Sequence, residues 1–246
     1  LAQTYPRVGR IAARMAQKNL AAMDAIWANG IDTQTALRKK GFDSIVIKNG
    51  VNFDIYDGVI PFGYSILGLE HKTKMVTIGT VQKIKGYYEI IDAIKILKQK
   101  YNEEVHLIGL GKGSLDKFNN YARECNVADR VHLLGEQRNV VSYAKSADLI
   151  VCASGGSGYG MAILESMVSK TPIVAWDSPV YRQLLKNDYS ARLVKSWDAE
   201  ALAEGIHYII NNPAQVSKWG GRARETAKKF DWTEVIREIE TACENL

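Results

Sequence analysis

From Lys74 onward, short runs that are apolar almost throughout alternate with longer stretches in which apolar residues recur every three or four positions. Met75–Gly79, Glu104–Gly109, Val131–Gly135, Asp148–Ala153 and Pro172–Trp176 read as strands, with a shorter one near Arg192–Val194. Between them, Tyr87–Lys100 places Ile90, Ile91, Ile94 and Leu97 on one helical face, and Ser114–Asn126, Val140–Ser146 and Gly160–Lys170 also read as helices. Continuously apolar strands separated by amphipathic helices predict a parallel sheet covered on both faces. The expected fold is α/β, a doubly wound parallel sheet of Rossmann-like type over roughly residues 59–230. Helices near Asp198–Asn212 and Pro213–Phe230 close it. Asp231-Trp232-Thr233 reads as the cap of a last helix reaching about Glu244.

The first fifty residues are patterned differently. Residues 6–22 carry Val8, Ile11, Ala12 and Met15 on one helical face and Arg7, Arg10, Arg14 and Lys18 on the other. Such a face is either simply solvated or able to lie on an anionic membrane surface. A short apolar segment (Ala25 to Ala28), a helix near Thr33–Lys40 and a strand at Ser44–Ile47 follow. Asn49-Gly50 is a turn dipeptide, and a linker is expected over residues 49–58.

Composition narrows the class. The 246 residues are 46% hydrophobic and 24% charged, which excludes disorder and collagen-like repeats for the chain as a whole. No apolar run approaches the ~20 residues of a membrane-spanning helix. Residues 1–50 hold eight Lys/Arg and three Asp/Glu, which accounts for the entire net charge of +5. The rest is neutral, so no broad basic footprint for nucleic acid is present. Cys125, Cys152 and Cys243 are odd in number and far apart, which suits a reducing cytoplasm and argues against a disulfide framework or zinc cluster. The four histidines are scattered without ligand spacing, and no metal is expected. The chain opens at Leu1 inside a helical pattern, with no signal-peptide pattern, and reads as a piece of a longer protein.

Candidate chemistry lies in three glycine-bearing turns, each between a strand and a helix: Gly79 to Gly86, Gly109 to Gly113, and Ser154 to Gly160. Ligands of open parallel sheets bind beyond the carboxyl ends of the strands. Free N–H groups at a helix N-terminus suit phosphate, although glycines also serve tight turns. Three such turns on one sheet edge point to a phosphate-bearing ligand. None fits the dinucleotide fingerprint or a Walker A loop.

These segments carry a resemblance. Gly79 with Lys85-Gly86, Leu107-Ile108-Gly109-Leu110-Gly111, Val131-His132-Leu133-Leu134-Gly135 and Ala147-Asp148-Leu149-Ile150-Val151 are similar to the retaining glycosyltransferases of family 4. So are Gly158-Tyr159-Gly160 followed by Leu164-Glu165-Ser166-Met167, and Thr171-Pro172-Ile173-Val174-Ala175. Ile47-Lys48-Asn49-Gly50-Val51 resembles the family's link between domains, and Phe230-Asp231-Trp232 its step into the last helix. The resemblance implies the C-terminal half of a GT-B architecture, two Rossmann-like domains facing a cleft. It implies a division into residues 1–48 as a remnant of the acceptor-side domain, 49–58 as linker, 59–230 as the donor domain and 231–246 as a C-terminal helix. Most of the acceptor half would then be absent.

The resemblance also assigns roles. Lys85 matches the family's diphosphate-binding lysine, while Thr80 stands where the family has an arginine. Glu165 matches the second of two glutamates, which accepts hydrogen bonds from ribose hydroxyls. Ser157 stands in place of the first, which lies near the transferred sugar. Ser157 and Glu165 thus occupy the catalytic pair of positions. Gly79, Gly158, Tyr159 and Gly160, with the amides of Met161 and Ala162, would face the sugar and diphosphate. Arg138 and Asn139 lie where the nucleobase rests.

Each residue has a plainer reading. Lys85 is a solvated lysine on that view, although a cation at a helix start opposes the dipole. Glu165 is then a helix carboxylate, Ser157 a loop residue, Lys112 surface charge and Cys152 strand packing. The expected function is transfer of a sugar, with retention, from a nucleoside-diphosphate-sugar donor to a sugar, glycan or lipid-linked acceptor. No cofactor and no nucleic acid are expected, and contact with the inner membrane face is an open expectation. The alternative is a non-catalytic relative that binds a partner or membrane surface, favoured by Thr80 and Ser157.

Overall fold

The computed structural model describes residues 15–156 and 160–244. The described residues form two compact units, one of residues 15–50 and 232–244, the other of residues 51–156 and 160–231. In the smaller unit, β1 (Trp27–Ala28) and β2 (Ile45–Val46) pair in parallel around α1 (Ile31–Arg38). Residues 15–21 are helical, and the arginines of the basic face lie outside the described residues. The last helix of this unit, Trp232–Glu244, is joined to β2's end by an ion pair of Lys48 with Glu238 at 2.9 Å. Its Trp232 ring covers Gly50, where a Cβ would meet ring carbon at 2.5 Å.

The larger unit carries a six-stranded parallel sheet: β3 (Thr73–Ile78), β4 (Val105–Leu110), β5 (Val131–Gly135), β6 (Leu149–Cys152), β7 (Ile173–Trp176) and β8 (Arg192–Val194). The spatial order is β5-β4-β3-β6-β7-β8, so the chain winds outward from β3 to one edge, then returns to β6 and winds to the other. This is the doubly wound order the periodicity implied. Every residue of β4, β6 and β7 is buried, as strands covered on both faces must be.

Helices follow from the same pattern. Before them comes α2 (Phe53–Asp57); then α3 (Tyr87–Lys100) buries Tyr87, Ile90, Ile91, Ile94 and Leu97 and ends with Lys98 and Lys100 at its negative dipole end. It lies with α4 (Leu115–Glu124) on one face of the sheet. On the other lie α5 (Val140–Ser146) and α6 (Met161–Val168). Beyond β7 come α7 (Pro179–Arg182) and α8 (Ala199–Asn211), the latter capped by Asp198 and packed against α3. The span read as one helix at Pro213–Phe230 is instead α9 (Pro213–Val216), α10 (Trp219–Ala227) and a final 3₁₀ turn. The break precedes Gly220, which presses against the Lys170 carbonyl. Neither α2 nor α7 was anticipated. Each has a local cap, Asn52 accepting from Ile55 N–H and Ser178 from Tyr181 N–H, but is too short to show a period.

Two scattered histidines meet across adjacent strands. His106 Nδ1 lies 3.1 Å from His132 Nε2, and His106 Nε2 lies 3.4 Å from Glu104. Burial and the neighbouring His106 hold the His132 pKa below its ordinary value. The unfolded chain takes up this proton near pH ~6.5, the folded one only at lower pH. The associated stability is therefore complete above that value and lost as pH falls through the folded pKa. The urea midpoint should fall between about pH 7.5 and about pH 5, and His132→Gln should flatten that dependence. Equal slopes for parent and variant would remove the pair from the acid response.

Candidate functional site

Sheet order reverses between β3 and β6, and the loops beyond their carboxyl ends meet there. The loop after β3 runs from Gly79 through a 3₁₀ turn at Lys83–Lys85 to Gly86, which adopts φ +71° and starts α3. Ile84 accepts a hydrogen bond from Gly155 N–H at 2.9 Å, which ties this loop to the one after β6. A Cβ on Gly86 would lie 2.6 Å from the Ala153 carbonyl oxygen, so only glycine permits that approach.

Lys85 is half-buried at this junction. Its stem passes the α-carbon of Gly79, and its ammonium donates to Ser154 Oγ at 3.1 Å. Ser154 is held in turn: its N–H donates to the Tyr181 hydroxyl at 3.2 Å, and its Oγ accepts from Gly156 N–H at 3.3 Å. Among the described residues no carboxylate pairs with Lys85. Trp197 covers Gly155, where a Cβ would strike its ring at 2.1 Å.

Past this loop, α6 begins at Gly160 with no side-chain cap and no acidic residue in its first turn. The amides of Met161 and Ala162 therefore start a helix whose positive end is unmet by a side chain. Glu165 follows one turn later on the same helix. Burial raises its carboxyl pKa, and a hydrogen bond from the Tyr56 hydroxyl to Oε1, 3.1 Å long, works against that rise. Tyr56 itself is pushed up to about 12 by burial and by Glu165. Cys152, at the end of β6, is also pushed up to about 12 by burial, so its thiol is packing and not a nucleophile.

The sequence-predicted residues thus fall into groups. Gly79, Lys85 and the start of α6 flank the switch point. Thr80 is exposed beside Gly79. Ser157, Gly158 and Tyr159 lie outside the described residues. Arg138 and Asn139 are exposed on the loop after β5, and Asn139 lines a separate groove of about 600 Å³ with Ile55, Val59, Pro61 and Ser142. No hydrogen bond or ion pair among the described residues joins them to Lys85 or Glu165. Lys112 is exposed and pairs with Glu136 at 2.8 Å.

The first two glycine turns also have a packing cause that needs no ligand. A Cβ on Gly111 would lie 2.1 Å from the Gly79 carbonyl oxygen, and one on Gly113 would lie 2.4 Å from that of Val81. The β3–β4 pairing continues through these loops, with Val81 N–H donating to Lys112 O and Ser114 N–H to Val81 O.

Sequence reasoning missed the group behind Glu165. Lys145 donates to the carbonyls of Tyr56, Asp57 and Val59 at 2.7–3.2 Å. Buried Arg224 grips both Asp57 carboxylate oxygens at 2.5 and 2.7 Å and donates to Val168 O. The span read as a linker is therefore clamped onto the larger unit around α2.

The sequence profile of the family described as Glycosyl transferases group 1 matches residues 66–226, about two thirds of the chain. The chain belongs to the group 1 glycosyltransferases. Within that family, it is 27% identical over 204 residues to the phosphatidyl-myo-inositol mannosyltransferase of Mycobacterium leprae, covering 81% of this chain and 53% of that protein. The chain spans about half the length of the curated relatives it matches. The Anabaena protein HepE, solved in complex with UDP-glucose, shares the fold with a TM-score of 0.82 at 19% identity, over 94% of this chain and 68% of that one. The solved C-terminal domain of the group 1 protein LpcC from Francisella tularensis matches with a TM-score of 0.63 at 18% identity, over 74% of this chain and all of that one. The α/β fold with its parallel sheet is thus that of known glycosyltransferases of this group. Among the described residues no helix is long and apolar enough to cross a membrane.

Proposed function

We propose that this chain is the donor-binding part of a retaining glycosyltransferase that uses a nucleoside-diphosphate sugar. The observation that carries this reading is the convergence of Lys85 and the uncapped start of α6 on the switch point of the sheet. Lys85 there has a neutral hydroxyl for a partner. A diphosphate supplies the charge that both lack. As the bond from the sugar's anomeric carbon to the diphosphate oxygen breaks, its electron pair stays on that oxygen. Fixed amide dipoles and one ammonium are suited to stabilise the growing charge. Glu165 would hold the ribose hydroxyls, and the acceptor, a sugar, glycan or lipid-linked glycan, would be held largely by groups of the acceptor side. The HepE complex with UDP-glucose and the full coverage of the LpcC C-terminal domain support this division.

Calorimetric titration with UDP and with GDP tests the reading. Binding of one of them below millimolar concentration is expected. No heat with either at millimolar concentration would end it. A second reading, a non-catalytic relative, rests on Thr80 and Ser157, which replace the family's arginine and first glutamate. Binding without sugar transfer or donor hydrolysis by the protein carrying its acceptor side would favour that one.

A further inference from the structure

We infer that Tyr56 is a positioning residue for Glu165, fixing one carboxylate oxygen so that the other is presented to ligand hydroxyls; this rests on the donor-site reading above. The Tyr56 hydroxyl donates to Glu165 Oε1, and it is the only hydrogen-bond partner of the Glu165 carboxylate among the described residues. A carboxylate has about four acceptor sites, so one donor leaves Oε2 free for a diol.

The tyrosine is not a loosely placed side chain. Helix α2 is five residues long, too short to hold itself in water. Its C-terminal carbonyls are closed by Lys145 from α5, and Asp57 is gripped by Arg224 from α10. Arg224 lies 4.8 Å from the Phe53 ring and also binds the last turn of α6, the helix that carries Glu165. One cation therefore ties together the two helices whose side chains meet. Burial raises the Glu165 pKa, and the bond from Tyr56 opposes that rise.

Tyr56→Phe keeps the ring and removes the hydroxyl. The probes are UDP and 2′,3′-dideoxy-UDP, with the guanosine pair used instead if GDP is the nucleotide that binds. The parent should prefer the ribose form. In Tyr56→Phe, affinity for the ribose form should fall about three- to tenfold while that for the dideoxy form stays unchanged. A merely structural loss would weaken both alike, and that result would overturn the inference. So would an unchanged preference in the variant, or tighter ribose binding, which would mark Tyr56 as a competitor. A parent that binds both forms equally would remove Glu165 from the ribose, and the assignment of that residue would fall with the inference.

Discussion

Lys85→Ala should weaken nucleoside diphosphate binding about tenfold to a hundredfold while leaving the denaturation midpoint in place. The magnitude is that of one charge-assisted hydrogen bond, about 1.5–3 kcal/mol. Its direction follows from the surroundings. The ammonium is half-buried, donates to the neutral Ser154 hydroxyl and has no carboxylate partner among the described residues. Removing it from the empty protein therefore leaves no buried charge unpaired, so folding is spared. Removing it from the complex strips the ammonium that reaches Ser154 at the switch point, while Thr80 beside Gly79 brings no second charge. Lys112→Ala is the control: that lysine is exposed and already paired with Glu136, and its loss should not change affinity. Calorimetry on the three proteins decides. Equal affinities for parent and Lys85→Ala would separate Lys85 from the ligand.

What could be seen in the sequence was what repeats locally. β4, β6 and β7 announce themselves because strands covered on both faces are apolar at every position, and α3 because its buried residues recur within one helix. Strand order then follows from the handedness of crossovers and a single reversal. The turns that carry Lys85 and lead into α6 are visible for the same reason, since both are short strand-to-helix connections. Tyr56 was not. Its helix is fixed by Lys145 and by Arg224, the latter 167 residues from Asp57, and no local window contains that information. The glycines are ambiguous in a different way. Gly111 and Gly113 read as ligand-facing turns, and each is also required by the carbonyl of the neighbouring loop. Composition at a turn does not say whether the close neighbour is a phosphate or another backbone.

Gly220 and Gly221 stand side by side in α10 and should respond to alanine in opposite ways. A Cβ on Gly220 would lie 1.7 Å from the Lys170 carbonyl oxygen and 2.3 Å from its carbon. Neither partner can yield cheaply. Lys170 already sits at φ +66°, and the Thr171 hydroxyl that follows it donates to Ala144 O in α5. Displacing α10 would also stretch the bond from Arg224 to Val168 O, and with it the grip on Asp57. Gly220→Ala should therefore cost about 3 kcal/mol or more, which lowers the thermal midpoint of a unit this size by roughly 6–12 °C. At Gly221 nothing lies within 4 Å of the added carbon. There alanine gains only helix propensity, about 0.5–1 kcal/mol, and the midpoint should rise slightly. Calorimetric melting of the two variants reads both signs at once. Midpoints that move together would mean that α10 does not seat its glycine on the end of α6, and the clamp on α2 would lose its anchor.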